Sequence, residues 1–225
     1  MERNDLEKAR ALMLSQIRAT AADTASWTGR GKFSDRTMTA IESVPRHVFV
    51  PRELKGAAYA NRPQRIGCGQ TISQPYIVAL MTDFLELAGT EKVLEIGTGC
   101  GYQAAVISRC LPNGFLFGVE ASAYLANGAK RRLNSLGYKN ISVRCGNGYD
   151  GWPEEAPFKA IIVTAAPERV PRTLVGQLEN GGRMILPVGR PNRSQTLTFI
   201  RKNSLGQVRA DRVLPVSFVP LVDFG

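Results

Sequence analysis

From Glu91 onward, short apolar runs alternate with amphipathic stretches, and the first run, Val93-Leu94-Glu95-Ile96, ends directly in Gly97-Thr98-Gly99-Cys100-Gly101. Apolar runs of strand length separated by helix-period segments predict parallel strands joined by helical crossovers. Strands are predicted over residues 93–96, 115–119, 141–145, 160–164, 184–188 and 196–200, with another inside 208–213. Helices are predicted over 101–110, 122–136 and 170–178, and the turn from Asn203 to Gln207 reads as the tip of a closing hairpin. The expected fold class is α/β, a doubly wound, mostly parallel sheet with an antiparallel C-terminal edge.

The first sixty residues carry a different pattern. Leu6, Leu12, Met13, Leu14 and Ile17 fall near helical spacing over 5–20, and Ser34-Asp35-Arg36-Thr37 predicts the cap of a second helix through Ile41, with a loop over 24–32 between them. Pro45 and Pro51 bracket His47-Val48-Phe49-Val50, which excludes a central strand there. Residues 1–60 are therefore expected to form a helical cover, 61–90 a polar loop and helix, and 91–225 the α/β core of a single domain. At 44% hydrophobic residues, 225 residues are enough to bury one core.

Composition excludes several function classes. No apolar run approaches the roughly 20 residues that span a bilayer, and Met1 is followed by Glu2, Asp5 and Glu7 rather than by a basic and then apolar leader. A soluble, cytoplasmic protein is expected. Cys68, Cys100, Cys110 and Cys145 lack any C-x-x-C spacing and His47 is the single histidine, so free thiols are expected rather than a disulfide framework or a metal site. The 29 basic and 19 acidic residues give a net charge of +10. The excess is concentrated in Arg183, Arg190, Arg193, Arg201, Lys202, Arg209 and Arg212, spread over strands and turns without interleaved aromatics, which favours a solvated face over a nucleic-acid surface.

Ligands of a doubly wound sheet bind beyond the carboxyl ends of its strands. Gly97, Gly99 and Gly101 follow the first strand, where missing side chains admit a ligand and permit positive φ. Glu120 ends the second strand, where an acid accepts hydrogen bonds from ribose hydroxyls. Position 102 is Tyr102, so the dinucleotide spacing G-x-G-x-x-G is not met. Ser73, ahead of Gln74-Pro75, has two readings on the residues alone: a helix cap, or part of a functional loop.

The E-x-G-x-G run from Glu95 resembles the first motif of S-adenosylmethionine-dependent methyltransferases. Together with Gly69-Gln70-Thr71-Ile72-Ser73-Gln74-Pro75-Tyr76, Ala156-Pro157-Phe158-Lys159-Ala160-Ile161-Ile162-Val163-Thr164-Ala165-Ala166, the Gly181 to Gly189 segment and the closing Phe218-Val219-Pro220-Leu221, it resembles the protein-L-isoaspartate O-methyltransferase family. The resemblance implies a seven-stranded methyltransferase sheet, S-adenosylmethionine as cofactor, and proteins or peptides carrying isoaspartate as partners. It implies methyl esterification of the isoaspartyl α-carboxylate, after which the ester closes spontaneously to a succinimide that hydrolyses in part to aspartate. A carboxylate with a pKa of about 4 is already ionised at neutral pH, so such an acceptor needs no general base.

The resemblance carries Ser73 as the catalytic serine and Thr71, Glu95, Gly97, Thr98, Gly99, Glu120, Asn147 and Gly148 as cofactor contacts, with Thr71 also beside Ser73. It places Ile66, Gly67, Val219, Pro220 and Leu221 on the acceptor side. Three positions depart from the family pattern: Asn147 stands in a turn that usually reads G-D-G, Asn61 where Asp is frequent, and Ala121-Ser122-Ala123 replaces a more polar stretch. The alternatives are a paralogue that methylates a peptide aspartate and a degenerate module that serves in protein interaction. Ser73, Glu95, Gly97, Gly99 and Glu120 together argue against degeneration.

Overall fold

The computed structural model describes residues 3–190 and 193–222. Helix α1 (Arg3–Asp23) buries Met13, Leu14, Ile17 and Ala21 along one face. The stretch expected as a loop holds one helical turn, α2 (Ala25–Thr28), stopped by Gly29 at φ 67°. Helix α3 (Asp35–Ser43) begins at the expected cap, where the Thr37 amide donates to Ser34 Oγ at 3.3 Å. The segment around His47 forms 3-10 turns, Arg46–Val48 and Arg52–Ala57.

The polar run expected as a loop is a hairpin. Strands β1 (Gln64–Gly67) and β2 (Gln70–Ile72) pair antiparallel, and the two turn residues Cys68 and Gly69 take φ 52° and 69°. A two-residue turn with both φ values positive matches the twist of its strands. Of the hairpin only Gln64 and Ile72 are buried, so the alternation that marks a strand in sequence is missing.

Helix α4 (Pro75–Phe84) leads into β3 (Lys92–Ile96), α5 (Tyr102–Cys110), β4 (Phe115–Glu120), α6 (Ala123–Ser135), β5 (Ile141–Cys145), β6 (Phe158–Val163), α7 (Arg172–Gln177), β7 (Leu178–Val188), β8 (Gln195–Lys202) and β9 (Val208–Val216). These last seven strands form one sheet in the order β5-β4-β3-β6-β7-β8-β9. The β5 to β7 side is parallel, and β8 and β9 add antiparallel to its edge, as expected. The chain starts at β3, runs outward through β4 and β5, then returns to β6, so the switch point lies at β3.

Alternation along the strands divides the core between the two faces. Leu94, Ile96, Phe117, Val119, Ile161 and Val163 pack beneath α7, while Val93, Leu116, Ala160 and Ile162 join a cluster that includes Met13, Ile17, Ile41, Leu80 and Val106. The N-terminal helices thus share a core with one face of the sheet. Ile96 stands level with Val119 on one side and Val163 on the other, which brings Gly97, Glu120 and Thr164 to one height at the strand ends. No described helix is long and apolar enough to cross a membrane.

Candidate active site

The turn after β3 is built on its neighbours. The Gly97 amide donates to Val119 O at 2.8 Å, and Gly97 takes φ 89° with no room for a side chain, since a Cβ would lie 2.7 Å from Thr164 Oγ1. Glu120 braces the same turn: its Oε2 accepts from the Gly99 amide at 2.7 Å and its Oε1 from the Ser122 amide at 2.9 Å. Ser122 then caps α6 by accepting from the Leu125 amide at 3.4 Å, so the less polar stretch after the acid still supplies a helix start.

Beyond these strand ends lies a cleft walled by Gly97, Gly99, Glu120, Gly148, Thr164 and Val219 to Leu221, with Gln70 of the hairpin over it. The closing segment is held there by a backbone exchange, Ala166 N to Val219 O at 2.8 Å and Leu221 N to Ala166 O at 2.9 Å. The cleft is narrow, about 50 Å³.

Glu95 sits beneath the turn with no exposure, and both its carboxylate oxygens and the Thr98 hydroxyl lack a hydrogen-bond partner. Burial pushes the Glu95 pKa up to about 8; the Glu120 charge adds to this, and the Thr98 hydroxyl opposes it from close by without reaching hydrogen-bond geometry. A backbone cradle with an acid at its rim matches a ligand that carries ribose hydroxyls, as S-adenosylmethionine does. Gly97, Gly99, Glu120 and Gly148 face the space that such a ligand could occupy.

A second cavity, of about 500 Å³, adjoins this cleft. Its walls include Thr20, Thr71, Ser73, Gln74, Tyr76, Ser217 and Phe218, and it shares Thr164 and Val219 with the cofactor cleft. Among the described residues its lining carries hydroxyl and amide groups but no charged side chain. Ser73 does not cap α4: the cap position is Gln74, and the free Tyr76 amide instead donates to Asn61 Oδ1 at 3.0 Å. The departure at position 61 is thereby accounted for, because an amide oxygen fills the capping role.

Gly97, Gly99, Glu120, Gly148, Val219, Pro220 and Leu221 line the cleft at the strand ends, so the closing segment, expected on the acceptor side, stands against the glycine turn. Thr71 stands with Ser73 in the second cavity and not in the cofactor cleft. Glu95 and Thr98 lie under the turn rather than in a wall. Asn147 turns its Oδ1 to the Tyr149 amide at 3.0 Å, while its neighbour Gly148 faces the cleft. Ile66 lies over Gly99 on the outer side of the turn, and Gly67 ends β1 in solvent. His47 bonds the Tyr59 hydroxyl at 2.9 Å, away from both cavities, and burial ahead of the Arg10 and Lys55 charges lowers its pKa.

Sequence reasoning missed Thr164 as a site residue. Its hydroxyl donates to Gly97 O at 2.6 Å and it forms the wall between the two cavities, yet in sequence it reads only as the end of an apolar strand. Gln70, Ala165 and Phe218, which stand within the quoted motifs without a role of their own, also line the two cavities.

A family model described as protein-L-isoaspartate(D-aspartate) O-methyltransferase matches residues 28–224. A protein-L-isoaspartate O-methyltransferase 2 of Syntrophobacter fumaroxidans is 47% identical over 213 residues, covering 95% of this chain and 85% of the relative. One of Polaromonas sp. is 47% identical over 209 residues, covering 93% and 98%. A solved protein-L-isoaspartate O-methyltransferase superposes with a TM-score of 0.80 at 29% identity, covering 95% of this chain and 66% of that one. A putative one from Plasmodium falciparum, solved with S-adenosyl-L-homocysteine, gives a TM-score of 0.78 at 23% identity, covering 93% and 96%, and supports the fold. With a match over most of its length and close relatives along nearly all of it, the chain belongs to the protein-L-isoaspartate(D-aspartate) O-methyltransferase family.

Proposed function

We propose that this protein is a single catalytic unit that uses S-adenosylmethionine to methylate the free α-carboxylate of L-isoaspartyl residues in proteins or peptides, the first step of repair through a succinimide. The observation that carries the reading is the shared wall of Thr164 and Val219 between the Ser73 cavity and the Glu120 cleft. An acceptor in one and a methyl donor in the other meet across it. Free cysteines among the described residues fit a cytoplasmic setting.

The cofactor supplies a methyl group made electrophilic by a sulfonium sulfur. The protein supplies position. Ser73 Oγ donates to one carboxylate oxygen of the acceptor and leaves the other to react, Thr71 borders the same space, and the apolar Ile77, Leu214, Val216 and Phe218 keep water away. No residue removes a proton, because the acceptor is ionised beforehand. With no cation among the described residues of the lining, the acceptor carboxylate is held there by neutral donors.

Tritiated methyl transfer to matched peptides that differ only in isoaspartyl or aspartyl linkage tests the proposal. Base-labile label on the isoaspartyl peptide alone is expected. Label on the aspartyl peptide alone would overturn it in favour of a peptide-modifying enzyme.

A further inference from the structure

Arg46 is completely buried, and none of the described acidic side chains pairs with it. Its Nε donates to Ala58 O at 2.8 Å and its Nη2 to Ser73 O at 2.7 Å. The guanidinium lies 4.7 Å over the ring of Tyr102, the first residue of α5, which follows directly from the cofactor turn. A buried cation without a counter-ion carries a desolvation cost, and an apolar side chain of similar volume would fill the space without it. Burial holds the Arg46 pKa below its ordinary value. Packing alone does not explain an arginine here, whereas two carbonyl bonds in a fixed fork do.

Asn61 acts on the other side of the serine. Its backbone oxygen accepts from Gln74 Nε2 at 3.0 Å, its Oδ1 from the Tyr76 amide at 3.0 Å, and its Nδ2 reaches Thr20 Oγ1 at 3.4 Å. Gln74, Tyr76 and Thr20 all line the acceptor cavity. Ser73 is therefore fixed through its own carbonyl by Arg46 and through the next residues by Asn61, while its Oγ bonds to none of the described residues.

We propose that Arg46 and Asn61 are positioning residues that hold Ser73 with its hydroxyl directed into the acceptor cavity, Asn61 by taking over the capping of α4 and Arg46 by tying the Ser73 carbonyl to the layer that carries the cofactor turn. This rests on the reading of Ser73 as the group that orients the acceptor. Misplacement of a positioning group by about 1 Å costs on the order of 100-fold in rate, so removal of either hold acts on turnover more than on cofactor binding.

The test is a double-mutant cycle with Ser73→Ala, reading kcat and KM for an isoaspartyl peptide and the affinity for S-adenosylhomocysteine by calorimetry. Arg46→Met in the parent is expected to lower kcat by about tenfold or more, with Arg46→Lys intermediate and inhibitor affinity within about twofold. In the Ser73→Ala background the same substitution is expected to change kcat by less than about twofold, because the group it positions is gone. Asn61→Ala runs the same cycle and decides the matter if the arginine variants do not fold. Equal fold-losses in both backgrounds would overturn the positioning role and leave the Ser73 reading intact. A parental rate for Ser73→Ala alone would overturn both.

Discussion

Glu120 offers the sharpest perturbation because the structure gives its carboxylate two duties. Each oxygen already accepts a backbone amide, Gly99 at 2.7 Å and Ser122 at 2.9 Å, while the side chain faces the cofactor cleft. In Glu120→Gln, one oxygen becomes an NH2 group, and whichever way the amide turns, that group meets one of the two N–H donors. One hydrogen bond to a charged acceptor is lost, about 1.5–3 kcal/mol. At about 2–4 °C per kcal/mol for a chain of this size, Tm should fall by about 3–12 °C. The ribose hydroxyls lose the same kind of acceptor, so S-adenosylhomocysteine should bind about 10–100-fold more weakly. Thermal unfolding and titration calorimetry on the same preparation separate the two effects. A lowered Tm with inhibitor affinity within twofold of the parent would refute the ribose assignment and leave Glu120 as a brace of the glycine turn.

Ser73→Ala should lower kcat far more than it lowers S-adenosylhomocysteine affinity, and an unchanged rate would show that the hydroxyl does not orient the acceptor. The family resemblance sets the adenine against the Gly146-Asn147-Gly148 turn; Asn147→Asp keeps the acceptor for the Tyr149 amide and adds a charged acceptor for the adenine amino group, which should tighten cofactor binding by on the order of 1 kcal/mol, whereas Asn147→Leu removes both acceptors and should weaken it, and a leucine variant that binds like the parent would place the adenine elsewhere. With the Glu95 pKa raised from 4.5 to about 8, the folded state alone keeps this proton between those values, so stability is fully present below pH 4.5 and declines as pH rises to about 8. Glu95→Gln should flatten that decline, raising Tm relative to the parent at pH 8.5 but not at pH 4.5. An unchanged Tm-against-pH slope in the variant would refute the burial argument.

Local chemistry made much of this chain legible. Ser34 caps α3 as read because its hydroxyl needs only the amide three residues on. The glycine turn and Glu120 were readable because residues that follow parallel strands must share the carboxyl edge of the sheet, and the register of β3, β4 and β6 brings them level. The Gln64 to Ile72 hairpin was not readable, since its short strands bury only their end residues and leave no periodic signal. Its turn, with glycines flanking Cys68, was the one local clue.

What the amino-acid order by itself determined is the alternation of strands and helices from Glu91 onward, their parallel arrangement and the chemical kind of each group at the strand ends, because periodicity, capping and glycine placement act within a few residues. Tertiary structure alone decided which groups meet. Ser73 kept a cap reading until Asn61, fifteen residues before Tyr76, took the helix amide, and Thr164 became a shared wall only when β6 returned beside β3. Glu95 kept one identity and changed its chemistry on burial, since the loss of water is a property of its surroundings and not of its neighbours in the chain.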